Sequence, residues 1–138
     1  MTLATTSADL IPTLQSILER RDDLRLAILY GSAVAGRLHA QSDVDVAILG
    51  QGPLTVEQRL ELMRDLAVAV GREVDLLDLH DSTGVILTEV LTKGTILLKR
   101  DTAAYSELIR RMFYYNEDEL PNLRMILNER RRRFVNAV

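Results

Sequence analysis

The chain has 138 residues, of which 47% are hydrophobic and none is cysteine, so it fits one domain with its own core and excludes a disordered protein, disulfides and thiolate metal sites. It shows neither a signal-peptide pattern nor an apolar run of about 20 residues, and we expect a soluble, cytoplasmic protein with no membrane contact. Residues 1–98 hold eight basic and fourteen acidic residues and residues 99–138 hold nine and six, so direct nucleic-acid binding is not expected and the basic end indicates a negatively charged contact.

The first half of the chain predicts a helix and two strands. Apolar residues at helical spacing predict a helix from Asp9 to about Arg21, and Leu24–Tyr30 is predicted as a buried strand. Gly31 and Ser32 end this strand, and a short helix over Ala33–Leu38 is expected to follow. Val44–Leu49 is the second predicted strand.

A second helix is predicted after Thr55, which can form a capping box with Gln58. Gly71 is expected to end this helix. Its apolar face is predicted to consist of Val56, Leu60, Met63, Ala67 and Val70.

Strands and helices continue to alternate along the chain. The predicted elements are a strand over Glu73–Leu79, a helix over Ser82–Lys93 ended by Gly94, a strand over Thr95–Lys99, and helical segments from Asp101 interrupted near Pro121. This order predicts an α/β (α+β) fold with a central mixed β-sheet flanked by helices. We expect a single domain over residues 1–138, with a core at about 8–100 and a helical C-terminal tail at about 101–138.

Two aspartates stand at the start of the second strand with one residue between them. Asp43 and Asp45 should point to the same side because side chains alternate along a strand, while Val44 and Val46 face the core. Carboxylates about 7 Å apart along a strand can share a hard cation. Mg²⁺ suits them because it prefers oxygen ligands and accepts others from water and substrate phosphates. Alternatively, the two acids are incidental parts of a polar strand edge.

The Gly31-Ser32 pair is a candidate anion site. Glycine lets the backbone approach a phosphate closely, and the Ser32 hydroxyl and N–H groups at a helix start can hold an anion. The alternative is an ordinary strand-to-helix turn with Ser32 as the N-cap, which is compatible with anion binding.

Asp75 supplies a possible third carboxylate on a strand expected to neighbour the second. We interpret it as a general base or as a further metal ligand; the alternative is an exposed residue on a strand face. Asp78 has the opposite parity and is left out of the site. His39 and His80 are interpreted as surface or loop residues, and Lys93 as a complement to the helix dipole.

The residues after position 100 carry two apolar stripes. Arg130 falls within the stripe of the last predicted helix, so this region is either a solvated basic end or a docking surface on which Arg130 pairs with an acidic group. The first stripe, expected to pack on the body, is Tyr105, Leu108, Ile109, Met112 and Phe113, and the second is Leu120, Leu123, Leu127 and Phe134.

The spacing of these motifs resembles a known signature. Gly31-Ser32, ten residues, and then Asp43-Val44-Asp45 resemble the pattern of the DNA polymerase β nucleotidyltransferase superfamily. The short chain, Arg37, Ser42 and Val74-Asp75 make it most similar to the minimal nucleotidyltransferases, or MNT-domain proteins, which are often antitoxins paired with HEPN-domain toxins. The resemblance covers about residues 8–100.

The resemblance implies transfer of a nucleoside monophosphate from a triphosphate with release of pyrophosphate. Asp43 and Asp45 would ligate Mg²⁺, with Asp75 as a possible third ligand. Gly31 and Ser32 would hold the distal phosphates of ATP, and Asp75 would assist the acceptor hydroxyl.

In the antitoxin branch the resemblance implies a tyrosine acceptor on a ribonuclease toxin. We therefore expect a protein adenylyltransferase that neutralises a cognate HEPN toxin and forms a hetero-oligomer with it. Two alternatives remain open: a non-catalytic antitoxin that acts by stoichiometric binding, and a nucleotidyltransferase that modifies a small-molecule hydroxyl. Many relatives carry Arg where this chain has Ala33, so one phosphate contact is either weaker here or supplied by Arg37.

Overall fold

The computed structural model describes residues 7–36 and 42–115. The helices are α1 (Ser7–Glu19), α2 (Val56–Val70), α3 (Gly84–Lys93) and α4 (Thr102–Tyr115), and the strands are β1 (Leu24–Tyr30), β2 (Val44–Gly50), β3 (Val74–Asp78) and β4 (Thr95–Lys99). A single 3₁₀ turn over Gly31–Ala33, here called the glycine–serine turn, follows β1. The predicted helix and strand before this turn, and the predicted strand after it, all form within two residues of their predicted bounds.

The four strands form one sheet in the order β3-β2-β1-β4. β1 runs antiparallel to β2 and β4, and β2 runs parallel to β3. This topology confirms the predicted mixed sheet. It also brings the end of β1 and the starts of β2 and β3 to the same edge of the sheet.

Helices cover both faces of the sheet. α1 and α2 pack on one face through leucines that include Leu14, Leu18 and Leu66. α3 and α4 pack on the other face, where Leu87, Leu108 and other buried side chains meet the odd-numbered positions of β2. Val44 and Val46 belong to the first face and are fully buried, so Asp45 must belong to the second.

Two predicted helices differ from the structure in detail. The buried face of α2 is formed by Leu62, Leu66 and Val70, with Met63 and Ala67 only partly buried against the core. The predicted face was wrong for Val56 and Leu60, which are 73% and 58% exposed, because the apolar residues of α2 span a wide arc and the packing selects one side of it. Thr55 and Gln58 form the predicted capping box, and Gly71 ends the helix as predicted, in a left-handed conformation.

α3 begins at Gly84 and not at the predicted Ser82. The Ser82 hydroxyl donates to the Asp78 carbonyl at 3.0 Å, and the Ser82 amide donates to the Leu79 carbonyl at 3.4 Å. These bonds form a turn that delays the helix by two residues.

α4 packs on the body as predicted for the first stripe. Leu108 and Met112 are buried, and Tyr105, Ile109 and Phe113 pack partly buried against the same cluster. The break at Pro121 and the docking surface around Arg130 lie outside the described residues, and the division into core and tail stays a prediction. Within residues 7–36 and 42–115, no helix has the length and apolar character needed to cross a bilayer.

Candidate active site

Three strands place polar side chains in one row at the edge where β1 ends and β2 and β3 begin. Asp45 of β2 lies opposite Tyr30 of β1 and opposite Asp75 of β3 in the strand register. Directly paired residues point to the same face of a sheet. Tyr30, Asp45 and Asp75 therefore lie side by side, with Asp43 one alternation before Asp45 on the same chain.

The glycine–serine turn lies directly against this row. Gly31 has φ +78, a left-handed conformation that residues with a side chain rarely adopt. A Cβ atom at Gly31 would stand 2.4 Å from Oδ2 of Asp45. The left-handed turn therefore favours glycine, and any side chain at this position would have to displace the Asp45 carboxylate.

The turn differs from the predicted strand-to-helix junction. Ser32 is its second residue, and the N-cap position is Tyr30 without a side-chain cap, so the interpretation of Ser32 as an N-cap was wrong. The described part of the predicted helix over Ala33–Leu38 is the end of this turn, because the amides of Val34 and Ala35 both donate to the Gly31 carbonyl at 3.1 Å.

Two positions bear on the predicted phosphate contacts. Ala33 is buried at 2% exposure within the core under α1 and α2, so this position contributes packing in this chain. Arg37 and His39 lie outside the described residues, and the phosphate contact assigned to Arg37 stays a prediction.

The acids of the row concentrate negative charge. Asp43 and Asp75 are exposed, whereas Asp45 is partly buried between them. Burial is the main cause that raises the pKa of the Asp45 carboxyl above its ordinary value, and the charges of Asp75, Asp43 and Glu89 raise it further. A cation placed at this row would relieve the repulsion.

Tyr30 and Glu89 face the row and were missed by the sequence analysis. Burial, followed by the charges of Asp45, Asp75 and Glu89, raises the pKa of the Tyr30 hydroxyl to about 12, so this phenol stays protonated at neutral pH. The sequence places Tyr30 next to Gly31, but only the antiparallel register puts it beside Asp45. Glu89 arrives with the packing of α3, which no local pattern reveals.

Asp78, His80 and Lys93 were predicted to lie outside the site, and the structure places them away from the acidic row. Both carboxylate oxygens of Asp78 are engaged, one by the amide of Leu54 at 3.1 Å and the other by the amide of His80 at 2.9 Å. His80 is exposed in the turn after β3, and Lys93 lies in the last turn of α3. Asp78 therefore serves the loops around β3 and is separate from the acidic row.

The row has the donor atoms that a hard divalent cation prefers. Carboxylate oxygens suit Mg²⁺, which keeps several waters and takes further ligands from substrate phosphates. In the described part of the chain, no three acidic, histidine or cysteine side chains converge tightly enough to hold an ion by themselves. An ion held by the carboxylates of this row could complete its shell with water and with oxygens of a phosphate-bearing substrate.

The raised pKa of Asp45 makes the stability of the fold depend on pH. Because its pKa is raised in the folded protein, folding favours the protonated form, and the contribution of Asp45 to stability falls as pH rises from its ordinary pKa through the raised one. We expect metal-free Asp45→Asn to be more stable than the wild type at pH 7, with a smaller gain at pH 4. Urea unfolding with a chelator at both pH values measures this, with exposed Asp22→Asn as the control. An Asp45→Asn protein less stable than the wild type at pH 7 would contradict it.

The chain is similar in sequence to known proteins. The sequence model of the family described as polymerase beta, nucleotidyltransferase matches residues 12–103. Protein adenylyltransferase MntA of Shewanella oneidensis is 39% identical over 71 residues, which are 51% of this chain and 51% of that protein. The match therefore spans about half the length of this curated relative.

Two solved structures extend the likeness over most of the chain. A toxin–antitoxin with AMP-PNP has a TM-score of 0.68 at 27% identity and covers 86% of this chain and 96% of its own. A tri-AMPylated Shewanella oneidensis HEPN toxin in complex with MNT antitoxin has a TM-score of 0.62 at 22% identity, covers 89% and 98%, and supports the fold alone. Since the family model spans all four strands and the whole acidic row, this chain belongs to the polymerase β nucleotidyltransferase family.

Proposed function

We propose that this protein is an adenylyltransferase that transfers AMP from Mg-ATP to a tyrosine hydroxyl of a cognate HEPN ribonuclease toxin. The modification neutralises the toxin. The observation that carries the proposal is the row of Asp43, Asp45 and Asp75 against the glycine–serine turn. A relative named a protein adenylyltransferase and a structural neighbour described as a toxin–antitoxin with AMP-PNP support the donor and the partner. Because ATP is the donor, we place the protein in the cytoplasm.

In this proposal, different residues bind the metal ion and the phosphates of ATP. Asp43 and Asp45 would hold Mg²⁺, which fits their shared face and the raised pKa of Asp45. When bound, Mg²⁺ would neutralise charge on the phosphate oxygens. Gly31 exposes its backbone beside Asp45 and, with the Ser32 hydroxyl, would hold the distal phosphates.

Asp75 is exposed at the end of the row, where an incoming hydroxyl can reach it. The acceptor oxygen forms a bond to the α-phosphorus of ATP, the bond between that phosphorus and the bridging oxygen breaks, and pyrophosphate leaves. The hydroxyl proton passes to the Asp75 carboxylate. Positioning and charge neutralisation supply most of the catalysis in such transfers.

The direct test is intact-mass spectrometry of a HEPN-domain protein, to be sought in the reading frames next to the gene of this chain, after incubation with this chain and Mg-ATP. We expect the HEPN protein to gain one or more AMP units, to lose its ribonuclease activity, and to show neither change when ATP is replaced by α,β-methylene-ATP, whose bond between the α- and β-phosphates cannot be cleaved. Toxin neutralised without any mass gain would favour stoichiometric binding. A small hydroxyl compound modified in place of the HEPN protein would favour a nucleotidyltransferase that acts on small molecules.

A further inference from the structure

Arg72 is a buried arginine that the acidic row does not include. It follows the left-handed Gly71 at the end of α2 and precedes β3. Only 7% of it is exposed, and arginine is rarely buried to this extent unless its guanidinium is engaged. Nη1 of Arg72 donates to the backbone carbonyl of Ser42 at 3.2 Å.

This hydrogen bond meets the chain just before Asp43. On the other side of Asp43, the amide of Val44 donates to the carbonyl of Glu73 at 2.9 Å. Two consecutive residues of the α2–β3 connection thus hold the backbone immediately before and immediately after Asp43. The same connection reaches Asp75 three residues after Arg72, so it links the positions of the two exposed acids of the row.

We infer that Arg72 is a positioning residue that fixes Asp43 relative to Asp75 and so sets the geometry of the metal–nucleotide site. The inference rests on the proposed function, because it assigns Asp43 to metal binding. Asp43 lies just outside the start of β2, where the β2–β3 ladder alone restrains it least. Groups that hold metal ligands in place typically affect metal affinity 10- to 100-fold, although they touch neither metal nor substrate.

The chain offers a matched control at the opposite end of β2. Nε of Arg25 donates to the carbonyl of Gly50 at 2.8 Å, and Arg25 also pairs with Asp101. Arg25→Met removes an arginine that bonds to the last residue of β2. Arg72→Met removes a buried arginine that bonds to the chain two residues before β2. A general loss of stability is expected in both variants, whereas an effect on the acidic row is expected in Arg72→Met alone.

The experiment is calorimetry with Mn²⁺ and AMP-PNP on the full chain, at a temperature where each variant is folded by circular dichroism. We expect Arg72→Met to weaken binding of the Mn²⁺ complex about 10-fold or more, Arg72→Lys to recover part of the loss, and Arg25→Met to bind like the wild type. Amide hydrogen exchange at Val44 without any ligand should accelerate in Arg72→Met alone.

The outcomes separate this inference from the proposed function. Equal affinity and equal Val44 exchange in Arg72→Met and Arg25→Met would overturn the positioning role, even if the wild type modifies the toxin. The expected affinity loss together with no AMP transfer by the wild type would keep the positioning role and overturn only the acceptor. Absence of Mn²⁺–AMP-PNP binding by the wild type would overturn both.

Discussion

Replacement of Asp43 and Asp45 by asparagine is expected to abolish detectable binding of Mg-ATP and to lower AMP transfer by about 10³-fold or more. The reason is that a metal at a phosphoryl centre contributes several kcal/mol of charge stabilisation, and each 1.4 kcal/mol changes a rate about tenfold. Asp45 lies against Gly31 of the glycine–serine turn, where the phosphates would lie, and Asp43 is close enough to Asp45 to raise the pKa of its carboxyl. Calorimetry with Mg-ATP and the rate of mass gain on the toxin measure the two effects.

A double substitution of exposed acids outside the row provides the control. Asp22→Asn with Asp81→Asn removes the same two charges from exposed positions in turns and should bind Mg-ATP like the wild type. Unchanged Mg-ATP affinity in the Asp43/Asp45 variant would contradict the assignment of the metal site. Two results together would favour stoichiometric binding: full neutralisation of the toxin by that variant at equal expression, and no gain in toxin mass with the wild-type protein.

The predicted effects on stability and on binding have opposite signs at Asp45. Its partly buried carboxylate stands beside Asp43 and Asp75 and against the backbone of Gly31, a position that is unfavourable for a charge without a cation. The same concentration of negative charge favours a cation that is bound together with substrate phosphates. Asp45→Asn should therefore stabilise the metal-free fold while it removes function, which is typical of sites selected for activity over stability.

Local patterns in the sequence were sufficient for the strands and for the parity of the acids. The bounds of β1 and β4 are as predicted because continuous apolar runs end at glycine or at charged residues. The shared face of Asp43 and Asp45 follows from the two-residue period of a strand, which tertiary packing does not change. Asp75 was placed near them because consecutive strands of alternating folds are usually neighbours.

Contacts between distant segments could not be predicted in the same way. The register that sets Tyr30 opposite Asp45 depends on how β1 and β2 slide past each other. The burial of Arg72 depends on the path of the chain after Gly71, and its hydrogen bond to Ser42 spans 30 residues. The side of α2 that meets the sheet was misjudged at Val56 and Leu60 for a related reason, since several arcs of that helix are apolar enough to pack.

Substitution of Asp75 distinguishes between its two candidate roles, general base and metal ligand. As a general base it would accept the proton of the acceptor hydroxyl, and loss of such a group typically slows a reaction by 10²-fold or more. Asp75 is exposed and pairs in register with Asp45, so it can contact an acceptor that approaches from solvent while Asp43 and Asp45 keep the metal. We therefore expect Asp75→Asn to keep Mg-ATP binding within a few-fold of the wild type.

The same variant should lower the rate of AMP transfer by about 10²-fold. Single-turnover transfer to the toxin, followed by intact mass, separates this chemical step from binding measured by calorimetry. Raising the pH should partly restore the rate of Asp75→Asn, because an acceptor tyrosine that has already ionised no longer needs a general base. If Asp75→Asn instead abolishes Mg-ATP binding, Asp75 is primarily a metal ligand. If neither binding nor rate changes while exposed Asp81→Asn behaves identically, Asp75 has no part in the reaction.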